Sequence, residues 1–366
     1  AGGGPAGSTF AWRLQKSGMK TAILDKAVFP RDKVCGGWIT PAVLDLLDLN
    51  ADAYGRNHVC QPISGFMTAL LPGNAVRTDY SQPVSYGIRR VEFDEFLLKR
   101  SGAVLRLGEA VHAIRRAGKS WQVNETIETP LLIGAGGHHC PVAKFLGAQP
   151  GRGEKAVAAK ETEFLLDPET ASAIHVDPQI PHLYFCHDLK GYGWCFRKGN
   201  YLNIGMGREN SEGLNDHLEQ WVLELKRRKI IPSGIALNFK GHSYLLRSHS
   251  VRPLAADGVL LIGDAAGLAF SKSGEGILPA VESGLMAAAS VLSAGEKYDR
   301  NAFRSYEENM LIRFGPGGRD CRIPAREYPW RKFIAQGLMA SRWFVRRWVL
   351  DSGFLHTGLL PLNPER

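Results

Sequence analysis

The first eight residues, Ala1-Gly2-Gly3-Gly4-Pro5-Ala6-Gly7-Ser8, constrain this chain more than any other stretch. Gly2, Gly4 and Gly7 match the spacing G-x-G-x-x-G. In that pattern the first glycine makes a tight turn, the second lets a pyrophosphate approach the backbone, and the third lets a helix pack close to a strand. The next residues keep the register. A helical pattern runs over 6–17, Gly18 stands as its C-cap, and 21–24 reads as the next strand. Asp25 ends that strand about 20 residues past the glycines, where a ribose-binding acid belongs. Glycines, helix, strand and acid in this order predict a dinucleotide site rather than a structural loop. The strand that normally leads into the first glycine is not in the sequence, which begins in the loop. The two expectations are a trimmed chain and a sheet without its central strand.

A second stretch, 258–280, reads GVLLIGDAAGLAFSKSGEGILPA. Its apolar run 259–262 is a buried strand, and Gly263 and Asp264 end it. A carboxylate there, at the carboxyl end of a strand, can accept hydrogen bonds from sugar-like hydroxyls. Residues 273–277 then open a helical pattern that continues to Ala289. Gly274 and Gly276, just before Ile277, expose backbone N–H groups and bring the positive end of a helix to whatever lies there.

The chain has 366 residues, enough for two domains or one with a large insertion, and 44% hydrophobic residues can bury a substantial core. Its formal charge of +9 points to an anionic partner: a phosphate-bearing cofactor, an acidic lipid surface or nucleic acid. No nucleic-acid module is recognisable, so nucleic acid is not expected. The six cysteines are scattered without C-x-x-C, which argues against zinc and fits a reducing, cytoplasmic compartment. No signal peptide and no run of 18 apolar residues is visible, so no membrane span is expected.

Between these landmarks lie further candidates. Residues 29–37 form a loop in which Arg31 and Lys33 can face phosphate. Cys35, beside Gly36 and Gly37, is either exposed to a ligand or a small buried residue. Arg89 and Arg90 open a helix through Arg100, where the helix dipole does not favour cations; a nearby ligand anion or plain solvation would account for them. Residues 131–137 are another strand ending in glycines. The adjacent His138 and His139 point to different faces, so no metal site is expected. From 155 to 235 a sheet domain is expected. In it Tyr192, Trp194 and Phe196 share one strand face, and 201–207 pairs back through a turn at 198–200. That aromatic face is either core or the wall of a cavity for a flat or greasy substrate. The segment 328–350 reads as a helical tail that interleaves Trp330, Phe333, Trp343, Phe344 and Trp348 with Arg331, Lys332, Arg342, Arg346 and Arg347. Such a helix either packs its aromatics on the domain or lies on an anionic membrane.

The motifs GGGPAGS, RDKVCGG at 31–37, GIRRVEFDEFLL at 87–98, GAGG at 134–137, GYGWCF at 191–196 and GDAAGLAFSKSGEGI at 263–277 occur in this order. In that order the chain resembles FAD-dependent oxidoreductases of the geranylgeranyl reductase family, within the para-hydroxybenzoate hydroxylase-like flavoproteins. The resemblance extends through about Ala289. It implies an α/β fold: a Rossmann-like FAD-binding domain from 1–60, 87–150 and 240–300, an antiparallel β-sheet substrate domain from 61–86 and 151–239, and a C-terminal helical tail from 301 to 366. It implies that Gly2, Gly4 and Gly7 face the FAD pyrophosphate and Asp25 the ribose. Lys33 and Arg89 would contact the cofactor. Gly263 and Asp264 would hold the ribityl or pyrophosphate region, with Gly274, Gly276 and Ile277 along the isoalloxazine. Cys35, Gly36 and Gly37 would border its reactive face, and Tyr192, Trp194 and Phe196 would shape the substrate cavity.

Two departures stand out. The reductases' aromatic motif usually ends in proline, where this chain has Arg197. The hydroxylases carry Asp-Gly, tied to NAD(P)H handling, where this chain has Gly136 and Gly137. The expected function is hydride transfer from reduced flavin to carbon–carbon double bonds of a hydrophobic, isoprenoid-like small molecule, with NAD(P)H or another reductant as electron donor. The alternatives are an FAD monooxygenase or halogenase, with Lys33 pressed into the halogenase lysine's role, and a non-catalytic flavin electron-transfer protein. Peripheral membrane contact through the tail is a further expectation.

Overall fold

Two parallel strand pairs carry the first half of the architecture. Ala22–Asp25 pairs with Val104–Leu107, and Leu132–Gly134 pairs with Val259–Leu261, which also pairs antiparallel with Ala255–Ala256. The computed structural model describes residues 1–151, 154–209, 211–318 and 337–362. Ala1 and Gly2 lie between the two pairs. The Gly2 N–H donates to Leu24 O at 2.7 Å, the Ala1 ammonium donates to Ile133 O at 2.7 Å, and the Ala135 N–H donates to Ala1 O at 2.8 Å. The chain entering the glycine loop thus joins the two pairs by backbone hydrogen bonds. Val259, Leu260 and Leu261 are fully buried, as parallel strands covered on both faces must be.

Helix Pro5–Leu14 follows the glycine loop and packs on the long helix Ile277–Ala294. Small residues permit the close approach: a Cβ on Gly284 would stand 2.7 Å from Ala6 O. Ile277–Ala294, although interrupted by Glu282 and serines, is long and apolar enough to cross a membrane by length and composition, yet most of it is buried here between other elements. The helix starts at Ile277; residues 273–276 form the turn before it.

The second half is a seven-stranded sheet in the order Lys240–Tyr244, Val157–Leu165, Tyr201–Arg208, Gly191–Lys198, His182–Phe185, Gly65–Leu70, Val76–Asp79. All neighbours are antiparallel except His182–Phe185 with Gly65–Leu70. Residues 240–244 were expected in the cofactor domain. They instead form an edge strand of this sheet, because Val157 to Glu161 offer them a free backbone edge. The hairpin turn is the two residues Gly199 and Asn200, since Lys198 pairs with Tyr201.

Strand alternation gives the sheet two distinct faces. One carries Cys195, Leu202, Ile204 and Met206 against the amphipathic helix Leu214–Arg227, whose Trp221 is fully buried. The other carries Tyr192, Trp194 and Phe196, and the tail packs there. Arg342–Phe344 leads into a π-helical run Val345–Phe354, and Val345, Leu350, Phe354 and Leu355 join Trp194 and Phe196 in one core cluster. The tail is therefore part of the wall of the fold. Trp343 and Trp348 face outward, 70% and 55% exposed. Trp330, Phe333, Arg331 and Lys332 lie outside the described residues.

Candidate active site

A cavity of about 580 Å³ lies where the parallel half meets the aromatic face of the large sheet. Its size is in the usual range for a small-molecule site. One end is built from the glycine loop. Gly2 has φ +112°, and a Cβ there would overlap Ala135 O at 2.3 Å, so the position demands glycine. A Cβ on Gly7 would come within 2.1 Å of Gly2 O. These two glycines do not line the cavity; they let the turn close so that Gly4, Pro5 and Ala6, the start of the helix, do.

Asp25 lines the same end. Its Oδ2 accepts the Gly3 N–H at 2.8 Å and its Oδ1 accepts the Ala27 N–H at 2.9 Å, which fixes the carboxylate beside the loop. Arg31 reaches in from the next loop, its Nη2 about where a Cβ on Gly4 would make contact, 3.6 Å away. Its guanidinium lies over Phe29 and is paired to Asp94 at 3.1 Å, yet Nη1 is buried with no hydrogen-bond partner. A buried donor beside a helix N-terminus is what a bound pyrophosphate would satisfy.

Arg89 and Arg90 separate. Arg89, expected at the cofactor, is turned out of the cavity because Glu92 at 2.7 Å and Glu163 at 3.1 Å hold its guanidinium over Tyr201. Arg90 lines the cavity instead, held by two 2.7 Å hydrogen bonds to the fully buried Asp94. Lys33 lines it too, its Nζ 2.7 Å from His242 Nε2. Burial and the nearby Arg90 charge lower the lysine to about 8, and burial and the Lys33 charge lower His242 to about 3.

Asp264 faces this region with no hydrogen bond to its carboxylate among the described residues, so it can accept from a polyol. Gly263 lies behind it, where a Cβ would stand 3.0 Å from Ala6, while Gly274, Gly276 and Ile277 line the cavity. The buried Arg252 organises the turn from outside: it pairs with Glu154 at 2.6 Å and donates to Ala265 O at 3.1 Å and His138 O at 2.9 Å. Burial and that guanidinium push His138 down to about 4. Among the described residues no three His, Cys, Asp or Glu side chains converge as a metal site.

The other end is aromatic. Tyr192, Trp194 and Phe196 all line the cavity, and the Tyr192 hydroxyl donates to Ser273 O at 2.6 Å. Gly205, opposite Trp194 in the sheet, leaves the space in which the indole lies; a Cβ there would be 2.3 Å from the ring. Phe354 from the tail closes the wall, stacked on Trp38 and edge-on to Tyr192. Cys35, Gly36 and Gly37 also line the cavity, Gly36 against Phe196 and Trp194.

Beneath that loop sits a buried polar cluster. Lys198 is fully buried, pairs with Glu163, and donates to Gly36 O and Ile88 O, each at 3.0 Å. Asn203 donates to Glu161 at 2.9 Å and Glu163 at 3.1 Å and accepts from Trp194 Nε1 at 2.7 Å. Burial pushes Glu161 up to about 7, with Lys198 opposing. Burial pushes Glu163 up as well, but Lys198 and its other donors outweigh that and leave it below the usual range. Sequence reading did not single out this cluster, although strand parity carries the signal: Lys198 follows Tyr192, Trp194 and Phe196 at the same two-residue spacing. Phe354 and His242 carry no such local signal, because they arrive from distant segments.

Comparison with known proteins shows an FAD-binding fold. The model of a family described as FAD binding domain matches residues 89–305. Menaquinone reductase of Mycobacterium tuberculosis is 29% identical over 86% of this chain and 80% of its own length. Geranylgeranyl diphosphate reductase of Rhodobacter capsulatus is 29% identical over 80% of this chain and 74% of its own. Among solved structures, a geranylgeranyl bacteriochlorophyll reductase-like protein of Thermoplasma acidophilum superposes with a TM-score of 0.73 at 21% identity, covering 93% of this chain and 86% of that one.

Proposed function

This chain belongs to the FAD binding domain family, and on that premise we propose that it reduces carbon–carbon double bonds of a hydrophobic, polyprenyl-like substrate. FAD is the cofactor, and when bound it supplies the electron pair. The observation that carries the reading is one cavity with two chemistries: anion- and polyol-binding groups at one end, the wall of Tyr192, Trp194, Phe196 and Phe354 at the other. Two relatives in the same size range are named for reduction, one of menaquinone and one of geranylgeranyl diphosphate.

The residues divide the work. Gly4, Arg31 and the start of helix Pro5–Leu14 would hold the pyrophosphate, Asp25 the ribose and Asp264 the ribityl hydroxyls. The aromatic wall would exclude water and lie along an apolar chain, which strengthens every electrostatic contact at the reacting atoms. NAD(P)H or another reductant is the proposed electron donor, and the cytoplasm the proposed location. The tail's exposed Trp343 and Trp348, with Arg342, Arg346 and Arg347, would rest on an anionic membrane where such substrates partition. Loss of co-sedimentation with anionic vesicles in Trp343→Ser/Trp348→Ser, at unchanged thermal stability, is the expected sign.

The test is anaerobic. Protein loaded with FAD is reduced with dithionite and mixed with geranylgeranyl diphosphate or menaquinone, following flavin absorption and product mass. Reoxidation with a product heavier by two hydrogens supports the reading. A reduced protein inert to both alkenes that instead transfers oxygen or halogen to an aromatic ring would overturn it.

A further inference from the structure

We propose that Glu275 is the acid that delivers a proton to the substrate, and that His356, brought from the C-terminal tail, positions and recharges it. This rests on the reductase reading above. Adding hydrogen across a double bond needs a hydride at one carbon and a proton at the other, so the cavity must hold an acid.

Glu275 lines the cavity in the turn before helix Ile277–Ala294. The turn is anchored to the aromatic wall, because Tyr192 donates to Ser273 O and Ser273 Oγ accepts the Glu275 N–H at 3.2 Å. One carboxyl oxygen, Oε1, is buried with no hydrogen-bond partner. The other, Oε2, is 3.3 Å from His356 Nε2, which is also 3.4 Å from Ser273 Oγ. The imidazole is held against Phe270, ring centroids 4.1 Å apart, and His356 takes φ +52°, a backbone conformation uncommon for a residue other than glycine. A single buried carboxyl in the cavity lining, with one oxygen unpartnered and the other on an imidazole, has the layout of a general acid and its relay.

Among the described residues few groups face Glu275, Tyr192 being one. His356 comes from the tail, Ser273 from the same turn, and Tyr244 packs against Gly274. Glu282, one turn into the helix, is itself paired with Arg313. Burial raises Glu275, with His356 and the Leu278 N–H opposing.

In the step, the π bond would break as one carbon takes the hydride that reduced FAD, when bound, would supply. The proton leaves Glu275 for the other carbon and forms a C–H bond there. The substrate gains two electrons and the cofactor loses two. The carboxylate left behind is reprotonated through His356 Nε2 from solvent.

Infrared difference spectra of wild type minus Glu275→Gln test the protonation directly, with and without FAD. A protonated carboxyl band at neutral pH that disappears in the variant is expected. In His356→Asn the midpoint of that band should move to higher pH, because the His356 hydrogen bond that opposes the rise of Glu275 is gone. Rapid mixing tests the role. In Glu275→Gln, FAD binding and dithionite reduction should match wild type, while reoxidation by geranylgeranyl diphosphate slows about a hundredfold, the usual contribution of general acid catalysis. Glu275→Asp should recover part of the rate. A Glu275 that is already ionised at neutral pH, or a Glu275→Gln that reoxidises like wild type, overturns the proposal and leaves the reductase reading standing. A wild type that turns over no alkene sinks that reading, and the acid's role with it.

Discussion

The ring of Phe354 lies over the indole of Trp38, centroids 5.4 Å apart and planes inclined by 16°. The two residues come from opposite ends of the chain, and their contact seals the aromatic end of the cavity. Phe354 is 4% exposed and also meets Phe185 and Tyr192. Phe354→Ala should cost about 3 kcal/mol of stability, the lower end for a buried phenylalanine since the void opens onto an existing cavity. It should raise KM for a polyprenyl substrate while dithionite still reduces the bound FAD at the wild-type rate. Thermal unfolding and steady-state kinetics check the two halves.

Arg31 reaches Gly4 with Nη2 and carries a buried, unpartnered Nη1. Asp94 keeps its two bonds to Arg90 when Arg31 is removed, so the loop should survive the change. Arg31→Gln should therefore weaken FAD binding about ten- to hundredfold, the usual worth of a hydrogen bond to a charged group. Titration of apo-protein with FAD, read by quenching of flavin fluorescence, measures it. An unchanged affinity would remove Arg31 from the pyrophosphate site.

Glu161 makes stability depend on pH. Burial raises its carboxyl from 4.5 to about 7. The folded protein then holds this proton more tightly than the unfolded chain does. The contribution is complete below pH 4.5 and is lost as pH rises through about 7. Glu161→Gln should unfold at a Tm that changes less between those two pH values than wild type. Paired melting curves across the range decide it, and parallel slopes would count against the cluster as described.

Lys33 is lowered to about 8 by burial first and then by Arg90. In apo-protein its amine should become half-reactive toward a small acylating reagent near that pH, well below the 10.5 of an ordinary lysine. Peptide mass spectrometry of the acylated protein gives the midpoint at this residue. Bound FAD adds negative charge nearby and should move the midpoint upward.

Local pattern was enough for much of this protein. G-x-G-x-x-G with Asp25 in register specified a turn, a helix and a carboxylate, because their spacing is local even though Ala135 and Leu24 complete the turn. The same holds for the parity that sets Tyr192, Trp194 and Phe196 on one strand face, and for Asp264 at the end of a buried strand. Tertiary structure decided the rest, because it turned on contacts between segments far apart. Arg89 and Arg90 are adjacent and chemically alike. Only the fold, by setting Glu163 near one and Asp94 near the other, sent one away from the cavity and the other into it. Strand 240–244 joined the large sheet because a free edge on Val157–Leu165 was there to pair with it, which no local pattern records. The tail could have packed inward or faced a membrane. The apolar face above Trp38 and Trp194 draws Phe354 inward while Trp343 stays exposed, so the tail does the first without deciding the second.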